Sequence, residues 1–181
     1  MRDMQPSPLL SDEATLHAAM LREAERVLGL LQAASARVVT AESCTGGLVA
    51  SALTHFPGSS DMTEGGLVTY SNTMKKNLLG VPNEILAQHG AVSEPTVLAM
   101  ARGALSVASL ARLSVAISGI AGPGGGSAAK PVGLVWFVVA DRLSGVARAE
   151  KQVFSGTREQ IRLQAAQHAL TMVAASLSAP V

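Results

Sequence analysis

Ser43 stands in the segment Ala41-Glu42-Ser43-Cys44-Thr45-Gly46-Gly47, between the β-branched run Val38-Val39-Thr40 and the apolar stretch 48–53. That order predicts a buried strand turning into a helix, with a hydroxyl and a thiol at the strand's carboxyl end and backbone N–H groups of the turn and helix beside them. A nucleophile and donors for an oxyanion can thus come from one short segment, the donors being the N–H groups from Cys44 through Thr45, Gly46 and Gly47. A serine hydroxyl needs a base before it attacks a carbonyl. His17 and His168 fall in helical patterns, and His55 and His89 near loops complete no recognisable triad with it. A desolvated lysine is the other route. Lys75 precedes Leu78 and Leu79 by three and four residues, which puts it on their inward face in a short helix, whereas Lys76 aligns less well. Tyr70 stands at the end of the strand before that helix.

Each of these residues also has a plain structural use: Ser43 as a helix cap, Lys75 as a solvated charge, Tyr70 as a strand residue. Cys44 competes as a nucleophile, but reads better as a small buried apolar residue unless its thiolate is stabilised.

A glycine-rich segment, Ser118-Gly119-Ile120-Ala121-Gly122-Pro123-Gly124-Gly125-Gly126, follows a second buried strand and can bring N–H groups to a phosphate or carbonyl oxygen. It lacks the Lys-Ser or Lys-Thr pair of a Walker loop, and an apolar strand follows too soon for the dinucleotide-binding turn. A wide connecting loop remains the alternative use. Arg158 and Arg162, four apart at the start of the last helical pattern, can project together and hold a phosphate, or simply be solvated.

The elements that must position these groups can be read along the chain. Residues 1–10 read as a flexible leader and 11–181 as one domain. Ser11-Asp12-Glu13 opens a long helix ending near Ser35, residues 37–41 form the first strand, and 46–55 the helix behind the turn. Residues 66–70 are the second strand. Asn72 caps a helix over 73–79 stopped by Gly80, Pro82 starts another, and Ser93-Glu94-Pro95 begins a longer one through Leu110. Strands follow at 113–118 and 133–140, then an edge partner at 148–154 and a final helix to about Ser176. Strands interleaved with helices predict a three-layer α/β/α fold around a mixed, mostly parallel sheet of about five strands.

Composition narrows the function classes. Across 181 residues, 14 basic and 13 acidic side chains nearly cancel and only 3% are aromatic, which disfavours nucleic acid as a partner. The one cysteine excludes an intrachain disulfide and suits a reducing compartment. No apolar run approaches the ~20 residues that cross a bilayer, and the first residues lack a signal-peptide core, so a cytoplasmic protein without a membrane partner is expected. The scattered His, Cys, Asp and Glu positions suggest no metal site and no cofactor. Apolar helices such as 94–110 suit assembly into a homo-oligomer.

AESCTGG, then VTYSNTMKKNLLGV at 68–81, HGAVSEPTV at 89–97 and SGIAGPGGGSAAKPVG at 118–133 together closely resemble the CinA carboxyl-terminal domain family, over about residues 36–170. The resemblance implies a CinA-like fold and, as in small stand-alone members, hydrolysis of nicotinamide mononucleotide to nicotinate mononucleotide and ammonia in pyridine nucleotide salvage. It matches the family's serine nucleophile to Ser43, its lysine to Lys75 and its tyrosine to Tyr70. It sets Ser118 and Gly119 beside this small-molecule nucleotide substrate and makes Arg158 the leading phosphate contact. The amino-terminal domain of longer members has no counterpart here, so no activity of that domain is expected. The alternative is a non-catalytic nucleotide-binding or protein-interaction module linked to competence or DNA damage, which would have no use for Ser43, Tyr70 and Lys75 together.

Overall fold

The computed structural model describes residues 12–178, so the leader expected over 1–10 lies outside the described residues. Helix α1 (Glu13–Ala33) starts where the Asp12 carboxylate accepts the Thr15 N–H at 2.6 Å. Strand β1 (Val38–Glu42) leads through the turn carrying Ser43 into α2 (Leu48–Leu53), and a single 3-10 turn (Ser59–Asp61) precedes β2 (Thr63–Val68). Three helices follow: α3 (Asn72–Leu79), α4 (Asn83–His89) and α5 (Glu94–Val107). Then come β3 (Leu113–Gly119), β4 (Leu134–Asp141), β5 (Ala147–Val153) and α6 (Arg158–Ser178).

The sheet order is β2-β1-β3-β4-β5. β1 pairs parallel with both β2 and β3, while β4 pairs antiparallel with β3 and with β5, so β4 alone runs against the other four. Side chains alternate between two cores, as the two-residue strand period requires. Val38, Val115, Ile117, Val135, Phe137 and Val139 meet α1, α2 and α6 on one face. Val39, Ala41, Ala116, Val138 and Ala140 meet the α3–α5 side on the other. This is the expected three-layer α/β/α arrangement. β1 and β3 are buried along nearly their whole length, as expected for the two strands read as buried. β5 is the exposed edge.

Several boundaries differ from expectation, the following three among them. β2 starts three residues earlier and ends two earlier than 66–70, because it pairs from Val38↔Thr63 to Glu42↔Val68 and leaves the sheet where the Thr69 N–H donates to Glu42 O at 2.8 Å. Pairing with β1 outweighs local strand propensity. Tyr70 therefore lies just past the strand. Ser71, not Asn72, caps α3, its hydroxyl accepting the Met74 N–H at 3.1 Å. α5 stops at Val107, short of Leu110.

One close contact sets the placement of α3. A Cβ built on Gly103 of α5 would come within 2.0 Å of the Leu79 carbonyl oxygen, at the last residue of α3. Only the missing side chain lets the two helices approach this far.

Candidate active site

β1 leaves the sheet toward β2 on one side of its position and β3 lies on the other, so a crevice opens beyond their carboxyl ends, where parallel α/β sheets bind ligands. Ser43 follows β1 there, and Ser118 and Gly119 close β3. The crevice is a cavity of about 250 Å³ walled by Ser43, Cys44, Tyr70, Lys75, Ala91, Val92, Ser118, Gly119, Ala121 and Arg158. Its size is at the small end of small-molecule sites. Larger hollows, such as the 520 Å³ groove between α3 and α5, lack any nucleophile paired with a base.

Lys75 is the largest side chain with no solvent exposure. Its Nζ lies 2.9 Å from Ser43 Oγ, 2.8 Å from Thr69 O and 3.2 Å from Tyr70 O. The helical spacing explains this burial: Leu79 is buried one turn on, Leu78 is half-buried, and Lys76 is exposed. Desolvation pushes the Lys75 pKa down to about 8, outweighing the opposing interaction with the Cys44 side chain. Cys44 is buried and its thiol is pushed up to about 12, chiefly by desolvation, so it stays protonated at neutral pH.

The turn is held from both ends. Ser43 N–H donates to Ile117 O at 3.0 Å, fastening it to β3, and Gly46 and Gly47 carry the left-handed φ values of 61° and 97° that close it. Glu42, wholly buried, accepts from Gly47 N at 3.0 Å, Val49 N at 3.2 Å, Ala50 N at 2.9 Å and Thr40 Oγ1 at 3.0 Å. The first N–H groups of α2, expected to face a ligand, are therefore taken by an internal carboxylate. Gly46 N–H is also committed, to Ser43 O at 3.1 Å. Of the N–H groups expected to serve an oxyanion, those of Cys44 and Thr45 have no oxygen acceptor among the described residues and lie only against the Cys44 sulfur, a weak acceptor. Thr45 itself is buried and is not part of the cavity wall.

Glu42 sits inside the motif that draws attention to Ser43, yet its role is invisible without the turn's geometry; an acid directly before a serine and a Gly-Gly pair is the one signal for it. Glu42→Gln keeps the shape but replaces one acceptor oxygen by a donor aimed at backbone N–H groups. It is expected to destabilise the fold by ~1–3 kcal/mol, measurable as a lowered urea midpoint at unchanged slope.

The remaining candidates divide. Tyr70 is 63% exposed, and its phenol oxygen accepts from Arg158 Nη2 at 3.2 Å; its carbonyl, not its ring, touches Lys75. Arg158, the first residue of α6, also donates to Gly122 O at 2.6 Å and so joins the glycine-rich loop to Tyr70 across the cavity mouth. Ser118 Oγ donates to Ala91 O at 2.8 Å, holding the α4–α5 connection against β3. Lys130, which sequence reasoning passes over, ties that connection to the glycine-rich loop through His89 O at 2.7 Å and Val92 O at 2.8 Å. Arg162 is not brought to the cavity wall: it lies behind the turn, on the carbonyls of Cys44 and Thr45. Neither His55 nor His89 has its ring in the cavity wall. Among the described residues no three His, Cys, Asp or Glu side chains cluster to hold a metal ion, and no helix is long and apolar enough to cross a membrane.

Comparison with known proteins agrees with this fold. The family profile of the CinA C-terminal domain matches residues 21–177. A nicotinamide-nucleotide amidohydrolase PncC from Escherichia coli K12 is 53% identical over 152 residues, covering 83% of this chain and 90% of that protein. A putative competence-damage inducible protein of Symbiobacterium thermophilum is 49% identical over 170 residues, 90% of this chain but 38% of that longer protein. The crystal structure of the competence/damage inducible protein CihA from Agrobacterium tumefaciens superposes with a TM-score of 0.85 at 43% identity, over 89% of this chain and 96% of that one. The chain belongs to the CinA C-terminal domain family.

Proposed function

We propose that the protein hydrolyses the carboxamide of nicotinamide mononucleotide, giving nicotinate mononucleotide and ammonia, with Ser43 as nucleophile. The observation that carries this reading is the buried contact of 2.9 Å between Lys75 Nζ and Ser43 Oγ. The name of the 53% identical PncC relative supports the choice of amide.

The three partners of Lys75 suit a base. A neutral amine has two N–H donors and one lone pair; with Thr69 O and Tyr70 O accepting the donors, the lone pair is left for the Ser43 hydroxyl. Ser43 Oγ attacks the amide carbon while its proton passes to Lys75, and the carbonyl oxygen takes the negative charge. The N–H groups of Cys44 and Thr45 receive that oxyanion. Lys75 returns the proton to the amide nitrogen, the C–N bond breaks and ammonia leaves. Water then attacks the acyl-serine ester with Lys75 again as base, and the carboxylate product is released. Tyr70 borders the amide, with its hydroxyl available for proton exchange, and Ser118 and Gly119 form the opposite wall.

Arg158 is the phosphate ligand in this reading: it is exposed at a helix start, and its two neutral partners, Gly122 O and the Tyr70 phenol, are weaker acceptors than a phosphate. Arg158→Ala is expected to weaken use of the mononucleotide by about ten- to a hundredfold, or roughly 1.5–3 kcal/mol, and use of the riboside lacking the phosphate far less. Equal losses on both would move the phosphate to residues 118–126. The reading as a whole is tested by incubating the purified protein with nicotinamide mononucleotide and measuring ammonia: tight binding without turnover across a broad pH range would replace it with that of a nucleotide-binding module.

A further inference from the structure

We infer that Arg162 is a positioning residue that aims the Thr45 N–H at the oxyanion, acting through the backbone and touching no substrate. The inference rests on the amidase reading for the identity of the oxyanion. Arg162 Nε donates to Cys44 O at 3.2 Å and Nη2 to Thr45 O at 3.0 Å, while Nη1 is paired with Glu159 at 2.6 Å. The guanidinium is thus occupied on three of its nitrogens and lies behind the turn, outside the cavity wall.

Peptide geometry converts these contacts into a direction. The one cis bond among the described residues is Gly122-Pro123, so the Cys44–Thr45 peptide is trans and its N–H points opposite to its C=O. With Cys44 O drawn toward α6, the Thr45 N–H must face away from α6, toward the side where Ser43 stands. The next peptide provides an internal check. Thr45 O is likewise held by Arg162, and the opposing Gly46 N–H does turn back to Ser43, donating to its carbonyl at 3.1 Å. Glu42 completes the frame by taking the N–H groups that come after the turn, at Gly47, Val49 and Ala50. An acid fixes the donors of α2 and a base fixes the acceptors of the turn, so the N–H groups of Cys44 and Thr45 are the ones left over. The Cys44 carbonyl has no other donor among the described residues, whereas Thr45 O also accepts the Leu48 N–H at 3.3 Å, so without the guanidinium the Cys44–Thr45 peptide is the one freed to rotate.

The role separates from phosphate binding and from general support by what changes. Arg162→Ala is expected to lower kcat by up to about a hundredfold, with KM within about threefold, because a misaimed donor is lost only to the transition state. The factor should be the same on nicotinamide mononucleotide and on its riboside, and the pH inflection assigned to Lys75 should stay in place. Arg162→Lys, which can reach one carbonyl, should fall between Ala and wild type. Sulfonylation of Ser43 by phenylmethanesulfonyl fluoride, followed by mass spectrometry, reads the same donors without an amide substrate and should slow in parallel. A loss confined to the mononucleotide, a change in KM alone, a shifted inflection, or sulfonylation at the wild-type rate would each overturn the assignment. If Arg162→Ala does not fold, the lysine variant carries the same comparison. A wild type that releases no ammonia sinks the amidase reading, and the ratio of sulfonylation rates then decides Arg162 by itself. Sulfonylation no faster than in Ser43→Ala would overturn both.

Discussion

Ser43→Ala is expected to lower ammonia release from nicotinamide mononucleotide by about 10⁴- to 10⁶-fold, the scale on which loss of a serine nucleophile removes turnover. Binding should survive. Ser43 is buried, its N–H bond to Ile117 O does not involve the side chain, and alanine leaves the turn's left-handed glycines and its Glu42 contacts untouched. What goes is the oxygen that forms the acyl-enzyme, together with one partner of Lys75. Calorimetric titration with the mononucleotide should therefore give an affinity within a few-fold of wild type, and a stopped assay should show no burst. Turnover within tenfold of wild type would remove Ser43 from the chemistry and leave Lys75 to activate water directly.

Substitution of Lys75 should be nearly as severe, and the pH profile should explain why. Its pKa is lowered to about 8 by burial, so the base is mostly protonated at pH 7 and kcat/KM should climb about tenfold per pH unit before levelling above about 8. Lys75→Arg should be inactive throughout, because a guanidinium keeps its proton and cannot fit a site built around one nitrogen. The exposed Lys76 should tolerate alanine. Stability should follow the same group in a defined direction. Between about 8 and the ordinary value of 10.5 the unfolded chain binds a proton that the folded chain does not, so stability should rise with pH across that window. The slope for one proton is at most ~1.4 kcal/mol per pH unit, and it should vanish in Lys75→Met. Denaturant titrations of the two proteins at pH 7 and pH 9, below the range where the raised Cys44 thiol acts in the opposite sense, would show it; a difference between the two proteins that stays constant with pH would mean that Lys75 is not desolvated.

Much of this site was readable from residue types and spacing because it depends on local periodicity. Lys75 shares a helical face with Leu79, and that alone turns it inward; the strand period places Ser43 at the end of a buried run; Gly80 ends α3 where expected. Arg162 was not readable in the same way. Four residues from Arg158 it looks like a second phosphate contact, and only the docking of α6 against a turn more than a hundred residues earlier sends its guanidinium to backbone carbonyls. Glu42 and Lys130 share that problem: apart from the Thr40 hydroxyl on Glu42, their partners are main-chain atoms, which carry no residue identity for a sequence pattern to register. The start of β2 was misread for a related reason, since register is chosen by the neighbouring strand and not by the segment's own composition.

The contact between Gly103 and the Leu79 carbonyl gives the reaction a remote point of sensitivity. α3 carries Lys75 one turn before that contact, so the reach from amine to hydroxyl is calibrated at the carboxyl end of the helix, by the absence of a single methyl group. A side chain added at Gly103 would act as a shim under α3, tilting the amine away from the nucleophile while every group lining the cavity kept its identity. In a library of variants screened for activity, the silent members would then include a position that no map of cavity-lining residues contains, and the fault would lie in alignment, not in chemistry.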